Sequence, residues 1–390
     1  MSTMALLPGL TFLLGLVIGL LGFRFGNDLR KGRHVDKLRS NYFRGLNYLL
    51  NEQPDKAIEV FLQIAEVDRH TVETHLALGS LFRRRGESDR AIRLHQNLIA
   101  RPNLTAEQRA LALLELGEDY MRAGLLDRAE LLFTDLLQLD GYVQPALRQL
   151  LAISQQEQDW RRAIDHARRL QQVSGENHAS LIAHFLAELA GVARQSGDLP
   201  AAELWVQEAI ASDPQAVRPR LLAGQLAMAR GDWPAALRAF DEALDRQIDV
   251  VPEVLPNLIE CLQQLGQADR LGERLQAITR RYAGISPVLA LSTEIEREQG
   301  LAAATQFLSE HLRKHPSVRG LATLVELQIR QDAAAAAPFL SLRGLLNELI
   351  QTQSVYRCGH CGFAARTRHW QCPSCKRWES IKLVHGVMGD

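Results

Sequence analysis

The chain has 390 residues, 45 Lys plus Arg against 45 Asp plus Glu, five Cys and 46% hydrophobic residues, of which few are aromatic. Zero net charge argues against a general polyanion binder, which is normally basic, and against an acidic disordered tail protein. Five Cys are too sparse for a disulfide scaffold, and abundant Ala, Leu, Gln, Arg and Glu favour helix over strand.

From Met1 to Phe23 there is no Asp, Glu, Lys or Arg, and Ala5 to Phe23 is almost continuously apolar. At ~1.5 Å per residue that run spans roughly 28 Å, close to the hydrocarbon thickness of a bilayer. No basic n-region precedes it and Gly22-Phe23-Arg24 is no A-x-A cleavage site, so a transmembrane helix over 1–23 is predicted in preference to a signal peptide. The basic juxtamembrane segment that follows is assigned to 24–40. Between Arg24 and Arg44 seven basic residues (Arg24, Arg30, Lys31, Arg33, Lys37, Arg39, Arg44) face two acidic ones (Asp28, Asp36), a net of +5. The positive-inside rule then places the N-terminus outside and the bulk of the chain on the cytoplasmic side. Gly15, Gly19 and Gly22 share one face of this helix, where another membrane helix can approach closely.

Residues 41–353 repeat with a period near 34, enough for about eight to nine helical hairpins. Gly45, Gly79 and Gly117 are each followed three residues later by Tyr48, Phe82 or Tyr120, and twelve residues later by Ala57, Ala91 or Ala129. Phe61, His95 and Phe133 lie four residues further on. The anchor continues at Ala163, Ala202, Ala236, Leu271 and Ala304, with spacings of 34, 38, 34, 39, 34, 35 and 33. This resembles the tetratricopeptide repeat, an all-α superhelical solenoid in which small residues let two helices approach and stacking of hairpins creates the core. Gly86, Gly124, Gly197 and Gly231 mark hairpin turns, and Pro102, Pro214 and Pro316 mark the ends of second helices. The two long spacings call for extra residues near Asn103-Leu104-Thr105 and Ser174–Asn177. The resemblance implies a groove lined from first helices, here by Glu73, Leu76, Ser80 and Arg83 in one repeat and Leu111, Leu114, Glu118 and Met121 in the next.

Residues 354–390 carry Cys358, Cys361, Cys372 and Cys375, two C-x-x-C pairs ten residues apart. Four thiolates suit one tetrahedral ion with no open coordination position, which makes the site structural rather than catalytic. Zn²⁺ is the first choice and iron stays open. The 27-residue stretch from Tyr356 to Lys382 cannot build a core alone, so metal must supply folding energy. Tyr356, Phe363, Trp370 and Trp378 are expected to pack around the ion or dock the piece onto the repeats, as a metal-held cap at the far end of the chain. His360 and His369 are surplus to a saturated ion. Lys376 stands where Gly would be more permissive. Cys261, in an apolar helical pattern, reads as an inert core thiol. The segment is similar to a rubredoxin-like, zinc-ribbon knuckle domain, although its pairs lie closer together than in true rubredoxins.

The order of these parts, with YRCGHCGF and HWQCPSCKRW at the end, is similar to the lipopolysaccharide assembly protein B (LapB) family. The resemblance implies a non-enzymatic adaptor at the inner membrane. It would promote proteolysis of the deacetylase LpxC by the membrane protease FtsH, and an inner-membrane lipopolysaccharide-sensing protein would restrain it. Homo-oligomerisation stays open. The rival readings are a generic membrane-tethered assembly scaffold, an iron-containing redox carrier, and a nucleic-acid binder using Arg357, Arg366, Arg368, Lys376, Arg377 and Lys382. No nucleotide-binding or hydrolase motif supports an enzyme.

Overall fold

The computed structural model describes residues 43–45, 47–48, 51, 53–67, 72–139, 141–332 and 336–390. The predicted transmembrane segment with Gly15, Gly19 and Gly22, and the basic stretch 24–40, lie outside the described residues. No helix among the described residues is long and apolar enough to cross a membrane.

Contacts divide the chain into two units, one up to Glu157 and one from Gln158 onward. In the first, α1 (Pro54–Val67), α2 (Val72–Arg84), α3 (Ser88–Ile99), α4 (Ala106–Arg122), α5 (Leu126–Leu136) and α6 (Val143–Gln156) follow one another, each packed on the next. The second contains α7 (Trp160–Ser174), α8 (Ala179–Gln195), α9 (Leu199–Ser212), α10 (Arg218–Ala229), α11 (Trp233–Arg246), α12 (Val251–Gln264) and α13 (Leu271–Arg281). It continues through α14 (Ser286–Gln299), α15 (Leu301–Lys314), α16 (Val318–Gln331) and α17 (Ala336–Thr352). Three short strands follow: β1 (Tyr356–Cys358), β2 (Ala364–Ala365) and β3 (Ile381–Leu383), in the order β2-β1-β3. Both β2 and β3 run antiparallel to β1, with Tyr356 opposite Ala365 on one side and Leu383 on the other.

Local chemistry sets the hairpins. Gly197 and Gly231 turn the chain at φ of +82° and +77°, a conformation that costs a residue with Cβ. The next residue is an N-cap in each case: Asp198 accepts from the Ala201 N–H and Asp232 from the Ala235 N–H, both at 3.1 Å. The long spacings are absorbed where the sequence places them, in the linkers before α4 and α8. Thr105 and Gln108 close a reciprocal capping box at the start of α4. The proline-marked ends hold too, because α3, α9 and α15 stop at Ile99, Ser212 and Lys314.

The period-34 anchors lie in the core. Ala57, Ala91, Ala129, Ala163, Ala202, Ala236 and Ala304 are fully buried, and the divergent anchor Leu271 is buried as well. The aromatic four residues later fills the space that glycine leaves on the facing helix. A Cβ on Gly224 would sit 2.5 Å from Phe240, and one on Gly117 would sit 2.5 Å from Phe133. In the second repeat His95 takes the place of Phe and lies against Gly79. Cys261 is fully buried, and burial pushes its thiol up.

Gly224→Ala should therefore lower stability by about 1–3 kcal/mol through overpacking. Gly191→Ala, whose Cβ would meet nothing within 4 Å, should be neutral or stabilising by up to about 1 kcal/mol. Scanning calorimetry of the two variants checks the contrast.

Candidate metal centre

Each C-x-x-C pair is a tight turn whose backbone closes on itself. In the first, the Cys358 N–H donates to the Phe363 carbonyl at 2.7 Å and the Gly362 N–H to the Cys358 carbonyl at 3.0 Å. Gly362 takes a φ of +78°. In the second, the Cys372 N–H donates to Arg377 and the Lys376 N–H to Cys372, both at 2.9 Å. Lys376 holds a φ of +59° there, the strained position its sequence context foretold. An isolated β-bridge between Gln371 and Trp378 ties the second turn together.

These turns bring all four Sγ atoms within 4.8 Å of one another. Cys358 and Cys375 sulfurs are 3.7 Å apart, as are those of Cys361 and Cys372. A tetrahedral ion with Zn–S bonds of ~2.3 Å needs sulfurs roughly 3.8 Å apart, so the donor set fits one ion. The Ser380 hydroxyl and neighbouring backbone N–H groups draw the Cys358 thiol down to about 5. At Cys375 the Arg377 N–H also favours the thiolate, but burial and the three surrounding sulfurs push the thiol up to about 11. Four adjacent thiolates are thus poised for a cation and disfavoured without one. His360 and His369 are not among the ligand atoms that converge.

The knuckle domain docks onto the repeats through the expected aromatics, and it lies along the first helices of the second unit. Trp378 stacks on His184 (ring centroids 4.8 Å) and meets Trp160 and Phe185 edge-on. The Arg218 guanidinium lies 5.9 Å from the ring centres of both Trp370 and Trp378, and is itself paired with Glu188 at 2.9 Å. Arg368 donates to Glu253 at 2.8 Å and to the Asp249 carbonyl at 2.7 Å, and the Tyr356 hydroxyl donates to the same Glu253 oxygen at 2.5 Å. The Val318 N–H donates to the Val387 carbonyl at 2.9 Å, and Asp390 accepts from Tyr282, Ser286 and Arg319. Tyr356, Cys358, Ala365, Cys372, Ile381 and Leu383 share one core with α10–α14.

The residue positions behind this docking follow the repeat register. Twelve residues before the anchors Ala202, Ala236, Leu271 and Ala304 stand Ala190, Gly224, Ile259 and Ser292. Six residues before those stand His184, Arg218, Glu253 and Ser286, all of which touch the knuckle domain. Glu73 and Leu111 hold the same positions in the first unit. Extending the groove pattern to the later repeats would have found the four that sequence reading missed. Of the eight groove residues it named, Glu73 and Leu111 are exposed, while Ser80, Arg83, Leu114, Glu118 and Met121 are half-buried. Leu76 is buried against Val72, Leu98 and Ala112.

The docking bears on nucleic-acid binding. Arg368 is almost fully buried in its ion pair, and Trp370 and Trp378 spend their faces on the array, so neither offers a free stacking platform.

His184 Nε2 lies 3.1 Å from a Glu379 carboxylate oxygen, and this neighbour holds the carboxyl below its ordinary range. A depressed carboxyl stabilises docking above its ordinary titration range, and that contribution is lost as pH falls through the lowered value. Glu379→Gln should weaken docking at neutral pH and flatten the dependence of tryptophan emission on acid below the ordinary carboxylate range. Lys376→Gly should relieve the positive φ and slow metal release to a chelator about two- to fivefold.

Residues 356–382 match the family model described as a rubredoxin metal binding domain. Residues 74–107, 155–217 and 221–270 match tetratricopeptide repeat models. The chain is 37% identical over 385 residues to lipopolysaccharide assembly protein B of Escherichia coli K12, covering 97% of this chain and 99% of that one. It is 33% identical over 388 residues to the Haemophilus influenzae protein of the same name, covering 96% and 98%. Among solved structures, the C-terminal part of a tetratricopeptide repeat protein from Cytophaga hutchinsonii is similar at a TM-score of 0.41 and 12% identity, covering 66% of this chain and 94% of that one. Two relatives matched from end to end, with both the repeats and the Cys₄ knuckle in place, show that this chain belongs to the lipopolysaccharide assembly protein B family.

Proposed function

We propose that this chain is a membrane-anchored, non-enzymatic adaptor on the cytoplasmic face of the inner membrane. It presents the deacetylase LpxC to the protease FtsH and so limits lipopolysaccharide synthesis. The observation that carries this reading is the end-to-end likeness to proteins named for lipopolysaccharide assembly. The apolar run Ala5–Phe23 and its basic flank supply an anchor of the right length and charge. Gly15, Gly19 and Gly22 offer a face to a lipopolysaccharide-sensing membrane protein.

In this reading the four cysteines hold one ion, Zn²⁺ by preference, and the ion is structural. When bound, it folds the knuckle and so keeps Trp370, Trp378, Arg368 and Asp390 on the face of the second unit. The work of the molecule is then positioning: a stiff repeat array held close to the bilayer, with first-helix surface available to a client.

Cys372→Ser should abolish stoichiometric metal content, red-shift tryptophan emission as Trp378 leaves His184, and slow deacetylase turnover in cells. Removing residues 1–23 should leave a folded protein that supports turnover poorly. Metal analysis, fluorescence and pulse-chase of the deacetylase read these effects. Full turnover with the truncated protein would sink the anchored-adaptor reading.

A further inference from the structure

The four sulfurs of the knuckle are not equally sheltered. Cys358 and Cys372 are 2% and 0% exposed and belong to the core shared with the array. Cys375 is half-buried, whereas Cys361 is exposed. A thiolate that serves as a metal ligand is also a nucleophile, and its oxidation follows thiolate character and access. Cys361 is therefore the sulfur that a small electrophile meets first.

What Cys361 faces gives its oxidation a consequence. Its Sγ lies 3.7 Å from that of Cys372, so reaching the ~2.05 Å of a disulfide needs a closure of less than about 2 Å. Cys372 sits in the turn that docks the knuckle. The Cys372 N–H donates to the Arg377 carbonyl at 2.9 Å, and the Glu379 N–H donates to the Trp370 carbonyl at 2.8 Å. Gln371 and Trp378 form the β-bridge of the same turn. Both indoles that lie against His184 and Arg218 are thus carried by the segment that Cys372 anchors to the sulfur cluster.

We propose that Cys361 is a site of oxidation by hydroperoxides, and that the Cys361–Cys372 disulfide which follows releases the ion and undocks the knuckle from the second unit. In the first step the Cys361 thiolate attacks a peroxide oxygen. An S–O bond forms, the O–O bond breaks, and with hydrogen peroxide a hydroxide leaves. In the second step the Cys372 thiolate attacks the sulfenic sulfur, the S–S bond forms, and a second hydroxide leaves. The two thiolates together give up two electrons, and the peroxide takes them. Two of four donors are then spent, and the two remaining thiolates do not complete a tetrahedral site. The knuckle loses the energy that folds it, and His184, Arg218 and Glu253 lose their cover. The inference rests on the reading of the four cysteines as one metal site, and not on the adaptor role.

The test treats the zinc-loaded, full-length chain in detergent micelles with hydrogen peroxide. Zinc release to a chromophoric chelator, tryptophan emission and disulfide mapping by mass spectrometry are followed together. Sub-stoichiometric peroxide should give the Cys361–Cys372 disulfide first, with zinc release and a red shift of emission in step. A thiol reductant with added zinc should restore the starting emission. Cys361→His keeps four donors of kinds that zinc accepts but removes the exposed thiolate, and should slow zinc release about tenfold. Cys375→His, a change at a less exposed sulfur, should slow it less than about twofold. Wild-type release from Cys361→His overturns the proposal, as does a Cys358–Cys375 disulfide that forms first, or zinc loss with unshifted emission. The mapping uses the wild-type chain, so it decides the matter even where Cys361→His fails to hold zinc. A chain that takes up no zinc before oxidation removes the metal reading and this proposal with it, whereas a loaded chain that fails the later steps removes this proposal alone.

Discussion

A metal knuckle of this size cannot cover its own apolar side, and that constraint organises the second unit. Its strands are two or three residues long, far below what an independent sheet needs. The ion can hold four sulfurs together, but it cannot shield Tyr356, Ile381 and Leu383 from water. The array does so, adding Trp160, His184 and Phe185 around Trp378. Half-burying two indoles stabilises the contact by about 2–3 kcal/mol each at ~25 cal/mol per Å². An ion held by the four sulfurs would therefore be coupled to docking, because each would order surface that the other needs.

Charge makes the contact specific rather than merely sticky. Arg218 sits where burial disfavours its cation, and Glu188 compensates. Arg368 is enclosed by Glu253 and a backbone carbonyl. A buried pair of this kind adds little net stability over an apolar substitute, but losing one partner leaves a desolvated charge. Slippage of the knuckle by a residue would strand Arg368, whereas Arg218 would keep Glu188 and lose its two indole neighbours. In the first unit the same logic holds Arg83 still among Glu115, Glu118 and Asp119, with His95 behind Asp119.

Much of this was legible in the sequence because it depends on local spacing. Ala at a period of 34, Gly where a facing aromatic needs room and Gly-Asp at hairpin turns are short-range requirements, and the structure meets them at Ala202, Gly224 and Gly231-Asp232. The two C-x-x-C pairs are equally local, since each turn is built within a few residues, down to the positive φ of Lys376. The repeat register puts His184, Arg218 and Glu253 on one line but does not say what covers that line. Each looks like an ordinary polar residue on a helix, and nothing near it in the chain says what faces it.

The sequence by itself thus determined the repeat register, the divergent anchors, the four metal ligands and the family's order of parts, since all are fixed by residues close together in the chain. Tertiary structure alone decided that the knuckle lies along the second unit's first helices, that Asp390 meets Tyr282, Ser286 and Arg319, and that Arg83 meets Glu115, Glu118 and Asp119. Those outcomes depend on contacts between residues some thirty to more than a hundred positions apart, where the partner of a charge is set by how the hairpins stack and not by its neighbours in sequence.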